Sequence, residues 1–103
     1  MNRQLQVIAG LDRVIHEPGR LMIVARLAGL DECDFGFMLR QTGMSKGNLS
    51  SHLARLEKAG YIEIEKTWRG KIPLTLLRLT TAGQDAFEKY LNDLDSLKRG
   101  DTS

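Results

Sequence analysis

The chain has 103 residues, of which 42% are hydrophobic and 27% charged, and its net charge is +2, so it is suited to one domain with a modest core. No stretch is long and apolar enough to span a membrane, and the first residues lack the apolar segment of a signal peptide. A lone cysteine, Cys33, excludes an internal disulfide, so we expect a cytoplasmic protein with no membrane partner.

Two helices are predicted before residue 30. Apolar residues at helical spacing predict the first over residues 3–16: Leu5, Ile8, Leu11 and Ile15. The run Glu17-Pro18-Gly19 ends it, and proline favours the first turn of the next helix, which continues to Gly29.

A helix–turn–helix pattern follows. A short strand is expected near Phe35, and a short helix capped by Asp34 then runs to about Thr42-Gly43. Ser45 is a good N-cap for the next helix, predicted over residues 45–59 and ended by Gly60. Three leucines at i, i+4 and i+7 form its apolar stripe, and the opposite face carries small residues or hydrogen-bond donors.

A β-hairpin is predicted over residues 61–79. Alternating polar and apolar residues indicate a strand over 61–67, and a second strand runs from Leu74 to Leu79. Residues 68–73 form the turn, with two cations around a glycine. Trp68 is expected to anchor the hairpin to the body of the domain, and contact with a partner is the alternative. Thr80 or Thr81 then caps a last helix over residues 81–98.

The positive charge is concentrated in the central segment. Residues 40–78 hold eight basic and three acidic side chains, a net charge of +5, whereas the remainder holds seven basic and ten acidic ones. A clustered basic patch is typical of a protein that docks one face on a polyanion, although random clustering on a solvated surface is the plain alternative.

The combined pattern resembles the winged helix-turn-helix transcriptional regulators of the MarR-like and ArsR-like kind, in particular their small stand-alone members. The resemblance covers residues 17–83 and rests on Gly47-Asn48-Leu49-Ser50-Ser51-His52-Leu53, on Leu56 to Ile62, on Arg20 and on Leu79 to Gly83. It implies an α+β, mostly helical fold that binds double-stranded DNA, with helix 45–59 in the major groove and wing 61–79 on the backbone or minor groove.

Candidate DNA contacts lie on that helix and at the wing tip. The amide of Asn48 suits bidentate bonding to adenine, the small side chains suit close approach, and the cations suit phosphate. The predicted set is Lys46, Gly47, Asn48, Ser50, Ser51, Arg55, Arg69 and Lys71. For each residue a solvated or helix-stabilising role is the plain alternative, and a winged-helix module that binds an acidic protein partner is the alternative for the whole domain.

A homodimer is predicted through the terminal helices, 3–16 and 81–98, of a single domain spanning residues 1–103. The last helix carries apolar residues at alternating spacings of three and four, like a coiled-coil seam. The predicted dimerisation set is Leu5, Ile8, Ile15, Phe87, Tyr90, Leu94 and Leu97. The alternative is that the last helix folds back on the core of its own chain.

No enzymatic constellation is present in the sequence. It has no nucleophile with a base at recognisable spacing, no phosphate-binding glycine loop and no paired acids. His16, Cys33 and His52 are too scattered for a metal site, so we expect no cofactor, and His52 is expected to be structural. The sequence does not indicate whether a small-molecule effector binds.

Overall fold

The computed structural model describes residues 2–99 as five helices and a small antiparallel sheet. The elements are α1 (Arg3–Ala9), α2 (Pro18–Leu27), β1 (Cys33–Asp34), α3 (Phe35–Thr42), α4 (Lys46–Lys58), β2 (Ile62–Arg69), β3 (Ile72–Leu79) and α5 (Thr81–Lys98). This confirms the predicted fold class, a mostly helical α+β winged helix-turn-helix with flanking terminal helices.

All five helices of residues 2–99 begin at side-chain caps, and Asn2 caps α1 by accepting a hydrogen bond from the Leu5 main-chain N–H. Asp34, Ser45 and Thr80 each accept a hydrogen bond from the main-chain N–H three residues ahead, and Glu17 does the same at α2. Each cap satisfies a donor that has no partner within its helix, so the chain enters the helix at a defined residue.

The sheet has the order β1-β3-β2, with both pairings antiparallel. β1 has only two residues, which pair with Leu76 and Leu77 at the inner edge of β3, just before the predicted position at Phe35. The β2–β3 hairpin extends beyond this point as the wing. β1 therefore pairs only with the base of the hairpin.

The hairpin turn is tighter than predicted. β2 continues through Arg69 and β3 begins at Ile72, which leaves only Gly70 and Lys71 between them. Gly70 has φ +62°, a conformation that glycine adopts without strain, and it lets the two strands connect directly. Trp68 and Pro73 therefore pair across the strands, and Trp68 is 66% exposed rather than anchored to the body as expected.

The main core lies between α2, α4 and the sheet. Ile23, Leu27, Leu49, Leu56 and Leu77 are among its fully buried residues, so the leucine stripe of α4 faces inward as predicted. Burial of this stripe fixes the orientation of α4. Rotation of the helix about its axis would expose apolar surface to water, at a free-energy cost of about 25 cal/mol per Å².

The predicted helix over residues 3–16 is wrong beyond Ala9. α1 ends at Gly10, and the Asp12 carboxylate then accepts hydrogen bonds from the main-chain N–H groups of Val14 and Ile15. Such local bonds compete with helical ones. The turn directs Leu11 and Ile15 onto α5, where they bury Tyr90 in a second, smaller core.

This second core also corrects the predicted dimerisation set. Ile15 and Tyr90 are buried inside the chain, and Phe87 and Leu94 pack against the two cores, so α5 largely folds back on its own domain. Leu97 is half-buried, whereas Leu5 and Ile8 are 51% and 50% exposed. Of the predicted dimer contacts, only Leu5 and Ile8 are exposed.

Within residues 2–99, no helix is long and apolar enough to cross a membrane.

Candidate nucleic-acid interface

The turn between α3 and α4 sets the direction of the second helix. Gly43 ends α3 in the left-handed conformation, with φ +70°, and Ser45 caps α4 two residues later. A residue with a Cβ atom is strained at such a φ, so glycine makes this short connection possible. The two helices form the helix-turn-helix predicted from the sequence.

The outer face of α4 is smooth near its N-terminus and positively charged along its length. Gly47, Ser51, Ala54 and Lys58 lie opposite the buried leucines, and all four are exposed. No heavy atom lies within 4 Å of the position that a Cβ would occupy on Gly47. The smooth surface is therefore open to solvent and accessible to a large partner.

The other predicted contacts on α4 flank this face on two sides. Lys46, Asn48, Ser50 and Arg55 are exposed. The Asn48 main chain donates to the Ser45 cap, so its side-chain amide is not needed for the helix start. Ser50 lies on the side turned to the sheet, where it lines a groove of about 630 Å³. The helix candidates therefore lie on the exposed surface of α4, on both sides of its outer face.

The wing tip carries the remaining candidates. Arg69 and Lys71 flank Gly70 and are both exposed. The Arg69 side chain lies opposite Ile72 in the hairpin register. The hairpin continues past the two residues that pair with β1, so these cations lie at the end of the wing away from the base of the sheet.

Ion pairs on the outer face of the sheet hold acidic side chains away from α4. Arg78 contacts three carboxylates, those of Glu32 at 3.1 Å, Glu63 at 3.4 Å and Glu65 at 2.6 Å. Hydrogen bonds to Glu65 and Glu32 raise the pKa of the Arg78 guanidinium. Two of the three acids in the basic segment are therefore paired away from α4.

Within the described part of the chain, the candidate cations and the neighbouring Lys58 have no such carboxylate partners. Across residues 2–99, the structure gives no ion pair to Lys46, Arg55, Lys58, Arg69 or Lys71. Their charge is available to an anionic partner, and exposed cations of this kind are attracted to a polyanion over about a Debye length.

Two residues near this surface escaped the prediction from sequence. Lys66 lines the groove together with Ser50 and Glu57 of α4. Lys66 could have been recognised from strand alternation, because it shares a face of β2 with Ile62 and Ile64. Trp68 was expected to anchor the hairpin, with contact to a partner as the alternative, and the structure places it exposed at the tip.

His52 has the structural role expected of it. Its ring lies 3.7 Å from the Glu17 carboxylate and packs where a Cβ on Gly19 would collide with it. Partial burial would raise the pKa of Glu17, but the N–H of Arg20 and the His52 ring outweigh it and lower that pKa. No group of His, Cys and acidic side chains within residues 2–99 is arranged to hold a metal ion.

A known protein family matches most of the chain, including this surface. The family described as winged helix DNA-binding domain matches residues 20–97. The chain belongs to this family. The match covers the second helix, the helix-turn-helix, the wing and nearly all of α5, and so includes every candidate DNA contact.

Similar proteins extend this winged-helix assignment. An uncharacterized protein of Methanocaldococcus jannaschii is 30% identical over 88 residues, which cover 84% of this chain and 95% of that protein. The solved structure of a transcriptional regulator homologue from Pyrococcus horikoshii OT3 has a TM-score of 0.86 and 25% identity, covering 94% of this chain and 95% of that one. The transcriptional repressor BigR from Xylella fastidiosa shares the fold, with a TM-score of 0.62, 24% identity and coverage of 98% and 93%.

Together, the family and the fold identify a winged-helix protein of the DNA-binding regulator type.

Proposed function

We propose that this winged-helix protein is a sequence-specific regulator of transcription that binds duplex DNA as a homodimer. The outer face of α4 enters the major groove, and the wing lies along the backbone or in the adjacent minor groove. Family membership and the similarity to the Pyrococcus horikoshii regulator homologue support the general function. The assignment of individual residues rests on the geometry of this chain.

One observation supports the proposal most directly. The exposed face of α4 combines small side chains with cations that have no ion-pair partner within residues 2–99. The small residues permit close approach to a groove, and the cations neutralise phosphates on either side of it. A face evolved only for solvation has no need of Gly47, which costs a helix about 1 kcal/mol relative to alanine.

The roles within the site follow from the position of each side chain. Asn48 lies in the first turn of α4, which normally approaches base edges, so it is assigned to base reading. Gly47, Ser50 and Ser51 allow and support close contact. Lys46, Arg55, Arg69 and Lys71 are assigned to phosphates, which fix the register without reading sequence.

The homodimer is proposed through α1, with the exposed end of α5 beside it. Leu5 and Ile8 lie on the side of α1 opposite to Arg3, Gln6 and Val7, which line a crevice with Lys89 and Asp93 of α5. The two apolar side chains therefore have no cover from α5. A second copy would bury them and would present two α4 helices to successive major grooves.

The general function is tested by titrating the protein into labelled random-sequence duplex at several salt concentrations. We expect the logarithm of the affinity to fall linearly with that of salt, with a slope of about −0.9 per neutralised phosphate. Binding that is absent at low salt, or that is insensitive to salt, would contradict the proposal. Absent binding would direct attention to an acidic protein partner for the same surface.

A further inference from the structure

We propose that Trp68 is a DNA-contacting residue whose indole inserts into the minor groove beside the major groove occupied by α4. This inference rests on the proposed function and adds to it a contact of a different kind. The wing tip is assigned to phosphate binding through its cations, whereas Trp68 would supply apolar contact and stacking that do not depend on charge.

The direction of the Trp68 side chain follows from the register of the hairpin. Successive side chains of a strand alternate between faces, so Ile62, Ile64, Lys66 and Trp68 share one face of β2. Ile62 is buried in the core, and Ile64 and Lys66 line the groove shared with α4. Trp68 is the next residue on this face, beyond the body of the domain. Its side chain therefore lies on the side of the wing that faces α4.

The exposure of Trp68 calls for a partner. Its side chain is 66% exposed, and its cross-strand neighbour is Pro73, which is also exposed. Tryptophan has one of the largest apolar surfaces of any side chain, and leaving it in water forgoes the free energy that its burial would provide. A tip needed only for charge and solubility would be served better by a small polar residue.

The charge around Trp68 selects DNA as that partner. Lys66 shares the face of Trp68, Arg69 and Lys71 lie close by at the tip of the hairpin, and none of the three has an ion pair within residues 2–99. An apolar protein partner would have to desolvate these three cations, whereas the walls of the minor groove are lined by phosphates. Apolar side chains enter the minor groove as wedges between base steps, and aromatic rings stack on bases.

Ile72 provides a matched control on the same hairpin. It is also 66% exposed and lies at the tip, but it pairs with Arg69 on the opposite face of the wing. Ile72→Ala and Trp68→Ala both remove an exposed apolar side chain close to the tip. Only Trp68→Ala removes an apolar side chain from the face turned to α4.

The experiment uses the fact that the chain has a single tryptophan. Random-sequence duplex is titrated into the protein while tryptophan emission is followed, and binding is measured independently by the anisotropy of labelled duplex. We expect emission to be quenched, and access of acrylamide to the indole to fall, with the same midpoint as the anisotropy change. Unchanged emission and access during normal binding would overturn the inference and leave the proposed function intact. Absence of an anisotropy change at low salt would instead contradict the proposed function.

The variants separate apolar contact from charge. Trp68→Ala should weaken duplex binding by about tenfold at every salt concentration, since stacking on one base has about this effect. The salt slope should stay the same because no phosphate contact is lost. Trp68→Phe should retain most of the affinity, and Ile72→Ala should bind like the wild type. Equal losses in Trp68→Ala and Ile72→Ala, or a flatter slope in Trp68→Ala, would overturn the assignment.

A substitution in the DNA tests the groove itself. Replacing guanine by inosine removes the amino group on the minor-groove floor and leaves the major-groove edge unchanged. Quenching should be larger on the inosine duplex because the indole can enter more deeply. Equal quenching on the two duplexes would place the indole against the backbone and overturn the minor-groove assignment. A change in sedimentation of Trp68→Ala without DNA would assign the residue to a contact between chains and would also overturn it.

Discussion

Asn48 allows base reading to be tested without disturbing the helix that carries it. Its main-chain N–H donates to Ser45 at 3.1 Å, and alanine retains that donor. Asn48→Ala should therefore melt like the wild type but lose about 1–3 kcal/mol of binding free energy on a preferred site selected from a random library. Binding to random duplex should change little. Equal losses on both duplexes, with folding intact, would show that Asn48 does not read bases.

Gly47 should show opposite effects on stability and on DNA binding. Alanine at this exposed helical position meets no atom within 4 Å and should raise the free energy of unfolding by up to about 1 kcal/mol. The same methyl group should weaken duplex binding, because it stands on the face of α4 that approaches the groove. Thermal melting and duplex titration of Gly47→Ala check the two effects. Unchanged affinity in the stabilised variant would mean that α4 does not approach DNA closely there.

Tyr61 links the two cores through a hydrogen bond that depends on pH. Its hydroxyl donates to the Asp12 carboxylate, and this bond, with burial, raises the pKa of Tyr61 from 10.0 to about 12. A raised pKa means that the folded state favours the neutral phenol. The bond therefore contributes fully below pH 10 and is lost as the pH rises towards 12.

Tyr61→Phe measures this contribution because it removes only the hydroxyl. At pH 8 the variant should lose about 1.5–3 kcal/mol of unfolding free energy, as expected for a hydrogen bond to a charged group. The difference from the wild type should shrink between pH 10 and pH 12, while the other titrating groups cancel in the comparison. A difference that stays constant over this range would exclude the hydrogen bond as its source.

At the scale of elements, α4 and the wing differ in how they hold their side chains. The leucine stripe buries α4 along its length, so its outer face has a fixed orientation. The wing is held by β1 only at its base, and its tip cations project from a two-residue turn. A fixed helix suits directional reading of bases, whereas a projecting tip suits contacts through charge.

Replacing the two tip cations should therefore affect all duplexes alike. Arg69→Ala with Lys71→Ala should weaken preferred and random duplex by the same factor and flatten the salt slope by about 1 per lost phosphate contact. Because both side chains are exposed, the melting temperature should stay unchanged. A change in sequence preference would mean that the wing and α4 have been assigned each other's roles.

For the whole molecule, the prediction concerns assembly through α1. Leu5 and Ile8 are about half exposed and have no cover from α5, so a double substitution to glutamate should not disturb either core. We expect sedimentation to show a dimer for the wild type at tens of micromolar and a monomer for the variant. Met22→Glu is the matched control, since Met22 is 45% exposed on α2 and belongs to neither terminal helix. A wild-type monomer at these concentrations would contradict the stable dimer.

The dimer also bears on DNA affinity. A monomeric variant keeps every candidate contact of α4 and the wing but loses the second half of the site. Its affinity for a preferred palindromic site should fall much more than its affinity for random duplex, because linking two half-sites raises the effective concentration of the second.

The sequence by itself determined most of the elements and the face on which the candidate site lies. Capping side chains such as Ser45 and Asp34 act on residues three positions ahead, and helical spacing places the α4 leucines on one side. Both effects are local, so they can be recognised along the chain. The candidate contacts of α4 could be named because they lie opposite a stripe that had to be buried.

The tertiary structure alone decided which apolar residues are available to partners. Spacing assigned Ile15 and Tyr90 to an interface, but a turn at Asp12 folds them against each other. It also decided that Gly83 must lack a side chain, since a Cβ there would collide with the Tyr61 carbonyl. Trp68 is exposed because the strands continue past the core, which depends on the geometry of the turn at Gly70. Such outcomes depend on contacts between residues far apart in sequence, and local periodicity carries no information about them.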